Sequence, residues 1–352
     1  MTIDISIIIP VHNGEKWINS CMKSIANQTI FWTLTKVEIV VFNDGSNDNT
    51  EELLQRWVQY FKGREINFLI TGSKDPKGVG AAKNGAVRLS SGLYLCFQDI
   101  DDSMHPDRIL LQWNYARFHN NTLIGSKVTR TPINSTPRFV HWANSLDPLQ
   151  LKQQIYLSYG PTILMPTWFC HRSVYDNVGG FVETGHGTPE DLIFFYAHID
   201  KGGELHRVDK ELVNYTYHKW STTFSISRKA IQLIQVYRLE KIVLSQWKQF
   251  TVWNAGKSGR KFVRSLTPNS QKKVVGFCDV DKKKIGSVIE LYCPKQRKVM
   301  IKLPVVHFTE AKLPIIICMK LDLTNDASRP STRSDIYKRM ACERTSPTER
   351  LR

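Results

Sequence analysis

The sequence predicts an α/β protein in which a doubly wound, mostly parallel sheet is followed by a second, smaller α/β domain. Short apolar runs alternate with amphipathic helical segments over the first hundred residues, which is the pattern of a parallel sheet covered by helices. Polar and mostly acidic side chains follow these runs, at the strand ends where such sheets bind ligands. Positive charge is concentrated after residue 229, which distinguishes the second domain from the first.

The first run, Ile5 to Val11, is apolar throughout and predicts a strand that is buried on both faces. A helix is expected next, because five apolar residues recur at helical spacing: Trp17, Ile18, Cys21, Met22 and Ile25. The same alternation predicts strands at 37–42, 66–70 and 93–97 and helices at 50–61 and 80–89.

A second α/β unit is expected after a helical segment at 226–249. Its predicted strands are 250–253, 274–278, 305–308 and 315–320. The last residues are rich in Ser, Thr, Pro and Arg and lack periodicity, so we expect them to be disordered. The predicted domains are therefore residues 1–229, residues 230–322 and a basic tail at 323–352.

The charge of the chain is unevenly placed. Residues 1–229 hold 23 basic and 22 acidic side chains, residues 230–322 hold 18 and 6, and residues 323–352 hold 7 and 4. A charge that served solubility alone would be spread over the chain, so we expect the second domain to bind a polyanion. A solvated lysine-rich face is the alternative interpretation.

The seven cysteines are scattered, odd in number and never form C-x-x-C, which predicts neither a disulfide framework nor a zinc site. The opening apolar run is too short for a signal peptide, and no run approaches the roughly 20 apolar residues of a membrane span. We therefore expect a cytoplasmic protein without a membrane partner.

Three carboxylates, Asp99, Asp101 and Asp102, come directly after the fourth strand. Like charges so close together repel unless a cation neutralises them, and Mg²⁺ or Mn²⁺ prefers carboxylate oxygens while leaving positions open for substrate phosphates. The triplet therefore predicts a divalent metal site for a nucleotide diphosphate. An acidic turn without a metal is an equally good interpretation of the triplet alone.

Several further segments accompany this triplet, and together they resemble glycosyltransferase family 2, whose members are inverting enzymes with a Rossmann-like GT-A sheet for a nucleotide-diphospho-sugar. The resemblance lies in Ser6-Ile-Ile-Ile-Pro-Val-His-Asn13, Val41-Phe-Asn-Asp-Gly-Ser46, Gly78-Val-Gly-Ala-Ala-Lys-Asn-Gly85 and, with Asp99 and Asp101, the acidic triplet. It implies the following donor-binding residues: Pro10, Val11, His12, Asn13, Glu15, Asp44, Lys83, Asn84 and Asp99. The family usually has Arg at the position of Lys83, and Lys lacks its bidentate fork for phosphate.

The same resemblance extends to the acceptor side. Val178-Gly-Gly-Phe181 is similar to the family's acceptor loop, which places Gly180 near the acceptor. Thr188-Pro-Glu-Asp191 is similar to its Glu-Asp pair, which implies Asp191 as the catalytic base with Glu190 beside it. A pair of acids that only complements a helix dipole is the alternative. Tyr215-Thr-Tyr-His218 implies His218 as a metal ligand together with Asp101 and Asp99.

Further blocks, among them the segment 160–170 and Trp253-Asn-Ala-Gly-Lys-Ser-Gly-Arg260, resemble the queuosine-tRNA galactosyltransferases of animals. This resemblance implies transfer of galactose from UDP-galactose to queuosine at the wobble position of tRNA(Tyr). The alternatives are a β-1,3-N-acetylglucosaminyltransferase that uses UDP-GlcNAc on a glycan, and an inactive RNA-binding protein on this fold.

RNA binding by the second domain agrees with its charge. Basic residues recur at helical spacing or lie nearby, and we expect phosphate contacts from Lys257, Arg260, Lys261, Arg264, Lys272 and Lys273. Asn254–Gly259 fits G-x-G-x-x-G only in its second and third glycines, so a second dinucleotide site is not expected. Trp168, near the acceptor loop, is expected to stack on an unpaired base, although a core position is an equal alternative.

Overall fold

A computed structural model of the chain describes residues 2–156, 160–293 and 297–318. The chain divides into two compact units, Met1–Gln235 and Val236–Arg352. The predicted tail at 323–352 lies outside the described residues.

The first unit alternates strands and helices from its first strand onward. Its strands are β1 (Ile5–Val11), β2 (Val37–Asp44), β3 (Asn67–Ser73), β4 (Tyr94–Phe97), β5 (Ser103–Met104), β6 (Thr122–Thr131), β7 (Phe169–His171) and β8 (Glu204–Thr216). Its helices are α1 (Ile18–Ala26), α2 (Thr50–Lys62), α3 (Val79–Leu89), α4 (Arg108–Ala116), α5 (Pro137–Ser145), α6 (Pro148–Gln153), α7 (Arg172–Val178) and α8 (Glu190–Asp200). A further helix, α9 (Arg228–Leu239), runs across the division between the two units.

The eight strands form one sheet in the order β3-β2-β1-β4-β7-β6-β8-β5. The strands β1 to β4 are mutually parallel, and β7 joins them in antiparallel pairing. The order reverses at β1, so the carboxyl ends of β1 and β4 meet at the switch point where doubly wound sheets bind ligands. The predicted α/β class and parallel sheet are confirmed.

Strand β1 illustrates why a continuous apolar run is needed at the centre of this sheet. Ile7 packs into the hydrophobic core on one face of the sheet and Ile8 into the core on the other, and both are fully buried. Successive strand residues point to opposite faces, so a strand with helices on both sides needs apolar residues at every position.

The second unit contains a smaller five-stranded sheet in the order β11-β12-β10-β9-β13. Its elements are β9 (Phe250–Trp253), α10 (Lys257–Ser265), α11 (Pro268–Gln271), β10 (Val274–Asp279), β11 (Val288–Cys293), β12 (Lys298–His307) and β13 (Ile315–Ile317). Strands β9, β10, β12 and β13 are parallel, and β11 pairs with β12 as an antiparallel hairpin. Its core includes Phe250, Val252 and Phe277.

Several elements of the second unit differ from the sequence prediction, and strand β11 (Val288–Cys293) was not predicted at all. Strand β12 begins seven residues before the predicted 305, because residues 298–304 pair with β11 in the hairpin and Lys298, Lys302 and Pro304 interrupt their apolar run. The predicted helix at 226–249 is regular only over Arg228–Leu239 and continues as a π-type turn over Glu240–Leu244.

Hydrogen bonds to the Asp279 carboxylate hold the turn between β9 and α10. Asp279, at the end of β10, accepts a hydrogen bond from the amide of Ala255 at 3.0 Å and one from the ammonium of Lys284 at 3.1 Å. The Asp279 carboxylate at the end of β10 therefore fixes the turn before α10.

Candidate functional site

A cavity of about 1200 Å³ opens at the carboxyl ends of β1, β2 and β4 in the first unit. The turns after these strands, the start of α3, the start of α8 and the loops at 185–188 and 218–226 line it. It brings together twelve of the sequence-predicted residues: Pro10, Val11, His12, Asn13, Glu15, Asp44, Lys83, Asp99, Asp101, Glu190, Asp191 and His218. The switch point of the sheet is therefore also where the predicted donor and catalytic residues converge.

The turns after β1 and β2 are tied to each other. His12 Nδ1 lies 2.7 Å from the carbonyl oxygen of Asp44, and the amide of Asn13 donates to Ser46 Oγ at 2.8 Å. Asn13 has a positive φ of 53°, a conformation that Asn tolerates better than most residues. These bonds hold the end of β1, with Pro10 and Val11, as a fixed wall of the cavity.

Asp44 has a structural task in addition to its position in the cavity wall. Its carboxylate accepts hydrogen bonds from Ser73 Oγ at 2.9 Å and from the amides of Lys77 and Gly78 at 2.8 Å each. The side chain is only 4% exposed. Asp44 thereby fixes the turn that leads into α3.

The acidic triplet forms a compact cluster at the end of β4. Carboxylate oxygens of Asp99, Asp101 and Asp102 lie within 4.8 Å of one another. The amide of Thr216, the last residue of β8, donates to Asp102 Oδ1 at 2.7 Å. This bond joins the acidic segment to the end of β8 and brings His218 to within 2.7 Å of Asp101, measured from Nε2 to Oδ2.

The cluster meets the requirements of a divalent cation site. Asp102 Oδ2 and His218 Nδ1 are buried and have no hydrogen-bond partner among the described residues. Burial raises the pKa of Asp99 to about 6, with a further contribution from Asp101 that Lys83 partly offsets. Burial also raises the pKa of Asp102 well above its usual range. Three converging carboxylates and an imidazole are ligands that suit Mn²⁺ or Mg²⁺, so the residues present fit such an ion.

The predicted catalytic pair occupies the first turn of α8. Glu190 is 6% exposed, and its Oε1 forms a buried ion pair with Lys83 Nζ at 2.8 Å. Asp191 forms no ion pair among the described residues, and its Oδ1 accepts from the amide of Leu192 at 2.6 Å. Burial first, and Glu190 second, raise the pKa of Asp191 to about 7, which suits a group that must take up a proton near neutral pH.

The prediction that Asn84 faces the donor is wrong. Its amide nitrogen donates to the Phe181 carbonyl and to Glu183, and its amide oxygen accepts from Tyr175 Oη and the Phe181 amide, all at 2.8–2.9 Å. All four of its hydrogen-bonding positions are therefore used within the protein. Asn84 is buried outside the cavity lining and anchors the loop after α7.

Neither predicted acceptor contact in this unit lines the cavity. Trp168 is fully buried and its Nε1 donates to the Ile163 carbonyl at 2.9 Å, so the prediction that it stacks on a base is wrong and the alternative core position is correct. Gly180 packs against Asn84, where a Cβ would lie 3.0 Å from Asn84 Oδ1. Its positive φ of 84° gives glycine a second reason to be there.

Among the cavity residues that the sequence analysis did not assign to the site are Lys16, Trp17 and Trp220. Trp17 was expected on the apolar face of a helix, but it precedes α1 and stacks on His218 with the ring centroids 4.5 Å apart. Lys16 Nζ lies 5.5 Å from the ring centre of Trp17 and 5.3 Å from that of Trp220. The position of Trp17 at the helix boundary was the signal that could have separated it from the core residues.

The predicted phosphate contacts of the second unit lie on its surface. The four basic residues Lys257, Arg260, Lys261 and Arg264 are exposed along α10, whose opposite face buries Phe262 and Val263. Lys272 is also exposed, whereas the Lys273 ammonium is partly buried and donates to the Leu244 carbonyl. Lys273 is thus held by its own unit, and the remaining five side chains point to solvent.

Among the described residues, no helix combines the length and the apolar character needed to cross a membrane.

Comparison with known proteins agrees with this geometry. Residues 6–179 match the sequence profile "Glycosyl transferase family 2". The chondroitin synthase of Escherichia coli is 39% identical over 107 residues, which are 30% of this chain and 14% of that enzyme. The chain thus spans only a small part of that relative's length.

Solved structures share the fold at low sequence identity. TarS 1–349 of S. aureus, in complex with UDP-GlcNAc, aligns with a TM-score of 0.55 and 18% identity, covering 75% of this chain and 70% of that one. The mannosyltransferase PcManGT of Pyrobaculum calidifontis, in complex with GDP-Man and Mn²⁺, aligns with a TM-score of 0.51 and 15% identity, covering 68% and 65%. The sheet therefore has the GT-A fold of these structures, and residues 6–179 of this chain are similar in sequence to glycosyl transferase family 2.

Proposed function

We propose that this protein is an inverting glycosyltransferase that moves a hexosyl group from a UDP-sugar to a hydroxyl group of an RNA acceptor. The observation that carries the proposal is the arrangement of one cavity at the switch point of a family 2 domain. Asp99 and Asp101 of the acidic cluster and the separate carboxylate of Asp191 all line it, and Asp102 completes the cluster behind them. The first is suited to a diphosphate, and the second to proton removal.

The residues that we expect to contact the donor are held in place by hydrogen bonds within the protein. The ends of β1 and β2 are joined through His12 and Asn13, so Pro10, Val11 and Asp44 form a rigid surface for the nucleoside. Such a preformed surface reduces the entropy lost when the donor binds.

The residues Asp101 and His218, with Asp99 in support, would hold the metal ion. A divalent cation bound there would neutralise the negative charge that develops on the departing diphosphate. Trp17 stacks on the His218 ring and so limits the orientations that this ligand can take.

Asp191 is the proposed general base. In the transfer step, the acceptor oxygen forms a bond to the anomeric carbon, the bond from that carbon to the phosphate oxygen breaks, UDP leaves with that electron pair, and the hydroxyl proton passes to Asp191. Glu190 is bound to Lys83 and is not free to attack the sugar. A single displacement without a glycosyl-enzyme intermediate inverts the configuration at the anomeric carbon.

For the finer assignment, we propose galactose from UDP-galactose as the donor group and queuosine in tRNA(Tyr) as the acceptor. The sequence blocks described above support both, and the charge of the second unit supports an RNA acceptor. Its exposed basic residues on α10 form a surface for phosphates, and residues 230–322 hold 18 basic against 6 acidic side chains.

The experiment that tests the proposal is incubation of the protein with total tRNA and a panel of UDP-hexoses, followed by mass analysis of the nucleosides. We expect a hexose added to queuosine from tRNA(Tyr), with UDP-galactose as the preferred donor. UDP-GlcNAc is included because TarS was solved in complex with that sugar nucleotide. Transfer of GlcNAc to a glycan, with no modified nucleoside, would favour the alternative substrate pair.

A further inference from the structure

A lysine and a glutamate form a buried ion pair in the wall of the cavity. Lys83, in α3, is 2% exposed, and its Nζ lies 2.8 Å from Glu190 Oε1. The ammonium also lies 3.1 Å from the sulfur of Met165 and 5.1 Å from the centre of the Phe181 ring. These contacts surround the charged group of Lys83 with protein.

The glycine one turn before Lys83 permits this contact. A Cβ on Gly80 would lie 2.3 Å from the Val182 carbonyl oxygen and 3.5 Å from Glu190 Cβ. A side chain at that position would therefore push α3 away from the segment that precedes α8. The close approach of the two elements is what places the Lys83 ammonium on Glu190.

This geometry argues against Lys83 as a ligand of the donor diphosphate. If the ammonium moved away from Glu190 toward a phosphate, the Glu190 carboxylate would be left buried and unpaired. Breaking a buried pair in this way is strongly destabilising, because it leaves an uncompensated buried charge. The exposed Lys77, which also lines the cavity, has no such constraint.

The pair acts on the residue next to Glu190. The Pro189 position that precedes α8 provides no side-chain cap, so the first turn of α8 is held by other contacts. Glu190 is fixed toward α3, and Asp191 is thereby directed into the cavity wall.

We propose that Lys83 and Glu190 are positioning residues which together fix the first turn of α8 and balance the charge around Asp191, and that Lys83 does not bind the diphosphate. The inference rests on the proposed role of Asp191 as general base. It differs from that role because it concerns residues that touch neither substrate.

The charged groups around Asp191 predict opposite effects for the two members of the pair. Glu190, beside it in α8, and Asp99, from the segment after β4, raise the pKa of Asp191, whereas Lys83, from α3, lowers it. Removing the charge of Lys83 should raise this pKa further, and removing the charge of Glu190 should lower it. A general loss of folding in the two variants would not shift this pKa in opposite directions.

The test uses the full chain and the variants Lys83→Met, Glu190→Gln, Lys83→Arg and the double variant Lys83→Met/Glu190→Gln. UDP affinity is measured by calorimetry with Mn²⁺ present, and UDP release from the preferred UDP-hexose is followed between pH 5 and 9. We expect Lys83→Met to keep the UDP affinity of the wild type and to move the acidic limb of the rate profile upward by about one pH unit or more. Glu190→Gln should move it downward, and Lys83→Arg should restore the wild-type profile.

Lys83→Met leaves the buried charge of Glu190 unpaired and could lose its fold for that reason. The double variant has no unpaired buried charge, so it provides a folded protein that lacks Lys83. It should melt at a higher temperature than either single variant and keep its acidic limb near that of the wild type. Arg88→Met is the matched control, since Arg88 lies on the same helix and pairs with Glu183 at 3.2 Å on the surface. It should change neither the UDP affinity nor the rate profile.

Two results would overturn the inference. A loss of UDP affinity in both Lys83→Met and the double variant would show that Lys83 binds the diphosphate. If the acidic limb of the rate profile moved in neither single variant, the two residues would not balance the charge around Asp191. Failure of the proposed role of Asp191 gives a different result, because the acidic limb of the rate profile would then persist in Asp191→Asn. The UDP affinities of the Lys83 variants would still decide whether Lys83 is a phosphate ligand.

Discussion

His218 Nε2 lies 2.7 Å from Asp101 Oδ2, although the two residues are 117 positions apart in the chain. The contact exists because Asp102 accepts a hydrogen bond from the amide of Thr216, which places the end of β8 beside the segment after β4. His218 and Asp101 are thus held together by neighbouring residues and are ready to share a ligand.

Removal of either member of this contact tests the metal site. We expect Asp101→Ala and His218→Ala to lower UDP affinity in the presence of Mn²⁺ by at least about tenfold, and to change it little without the metal, because both residues act through the ion. Asp107→Ala, a half-buried carboxylate in the same segment that does not line the cavity, is the control. Full activity after exhaustive chelation would contradict the metal site.

The pH dependence of transfer follows from the environment of Asp191. Burial and Glu190 raise its pKa to about 7, and only the ionised carboxylate can accept the hydroxyl proton. The rate should therefore rise with pH up to about 7 and level off above it. Initial rates at saturating donor between pH 5 and 9 check this expectation, and a rate that is independent of pH below 7 would argue against it.

The four hydrogen bonds of Asn84 predict a stability effect without a binding effect. Asn84→Ala would leave buried partners around Phe181 unpaired, at about 1–3 kcal/mol for each such group, and should lower the melting temperature. UDP affinity should be retained, because Asn84 lies outside the cavity lining. Asn114→Ala, at an exposed position of α4, should have little effect. A stable variant with weakened UDP binding would place Asn84 at the donor after all.

The basic face of α10 can be tested through the salt dependence of RNA binding. Reversal of Lys257, Arg260, Lys261 and Arg264 to Glu should weaken tRNA binding. Each lost phosphate contact should reduce the slope of log affinity against log salt by roughly 0.7 to 0.9. UDP affinity, measured in parallel, should stay unchanged. An unchanged salt slope would mean that these residues form only a solvated face.

Much of the sheet could be predicted because its strands are buried on both faces. The continuous apolar run of β1 has no other good interpretation, and its predicted bounds of 5–11 agree with Ile5–Val11. Strand β12 was predicted only in part, because residues 298–304 belong to a hairpin with β11 and their apolar run is interrupted by Lys302 and Pro304. Such an interrupted segment is a weaker signal than a continuous buried run.

The site could be predicted where residue type and strand end coincide. Asp99 and Asp101 follow a strand whose carboxyl end must lie at the switch point, so their position in the cavity follows from topology. Asn84 and Trp168 could not be placed in this way. Whether a helix or loop residue faces a cavity or the core depends on tertiary packing, here of Asn84 against Phe181 and of Trp168 against Phe194.

The measurement that tests the central claim most directly compares Asp191→Asn with the wild-type protein in UDP affinity and in the rate of hexose transfer. Asn keeps the shape of the side chain but cannot take up a proton, so we expect UDP affinity to be nearly unchanged and the rate to fall by about 10² to 10⁴. Asp176→Asn, an exposed carboxylate on α7, should transfer at the wild-type rate. Transfer by Asp191→Asn at close to the wild-type rate would contradict the assignment of Asp191 as the general base.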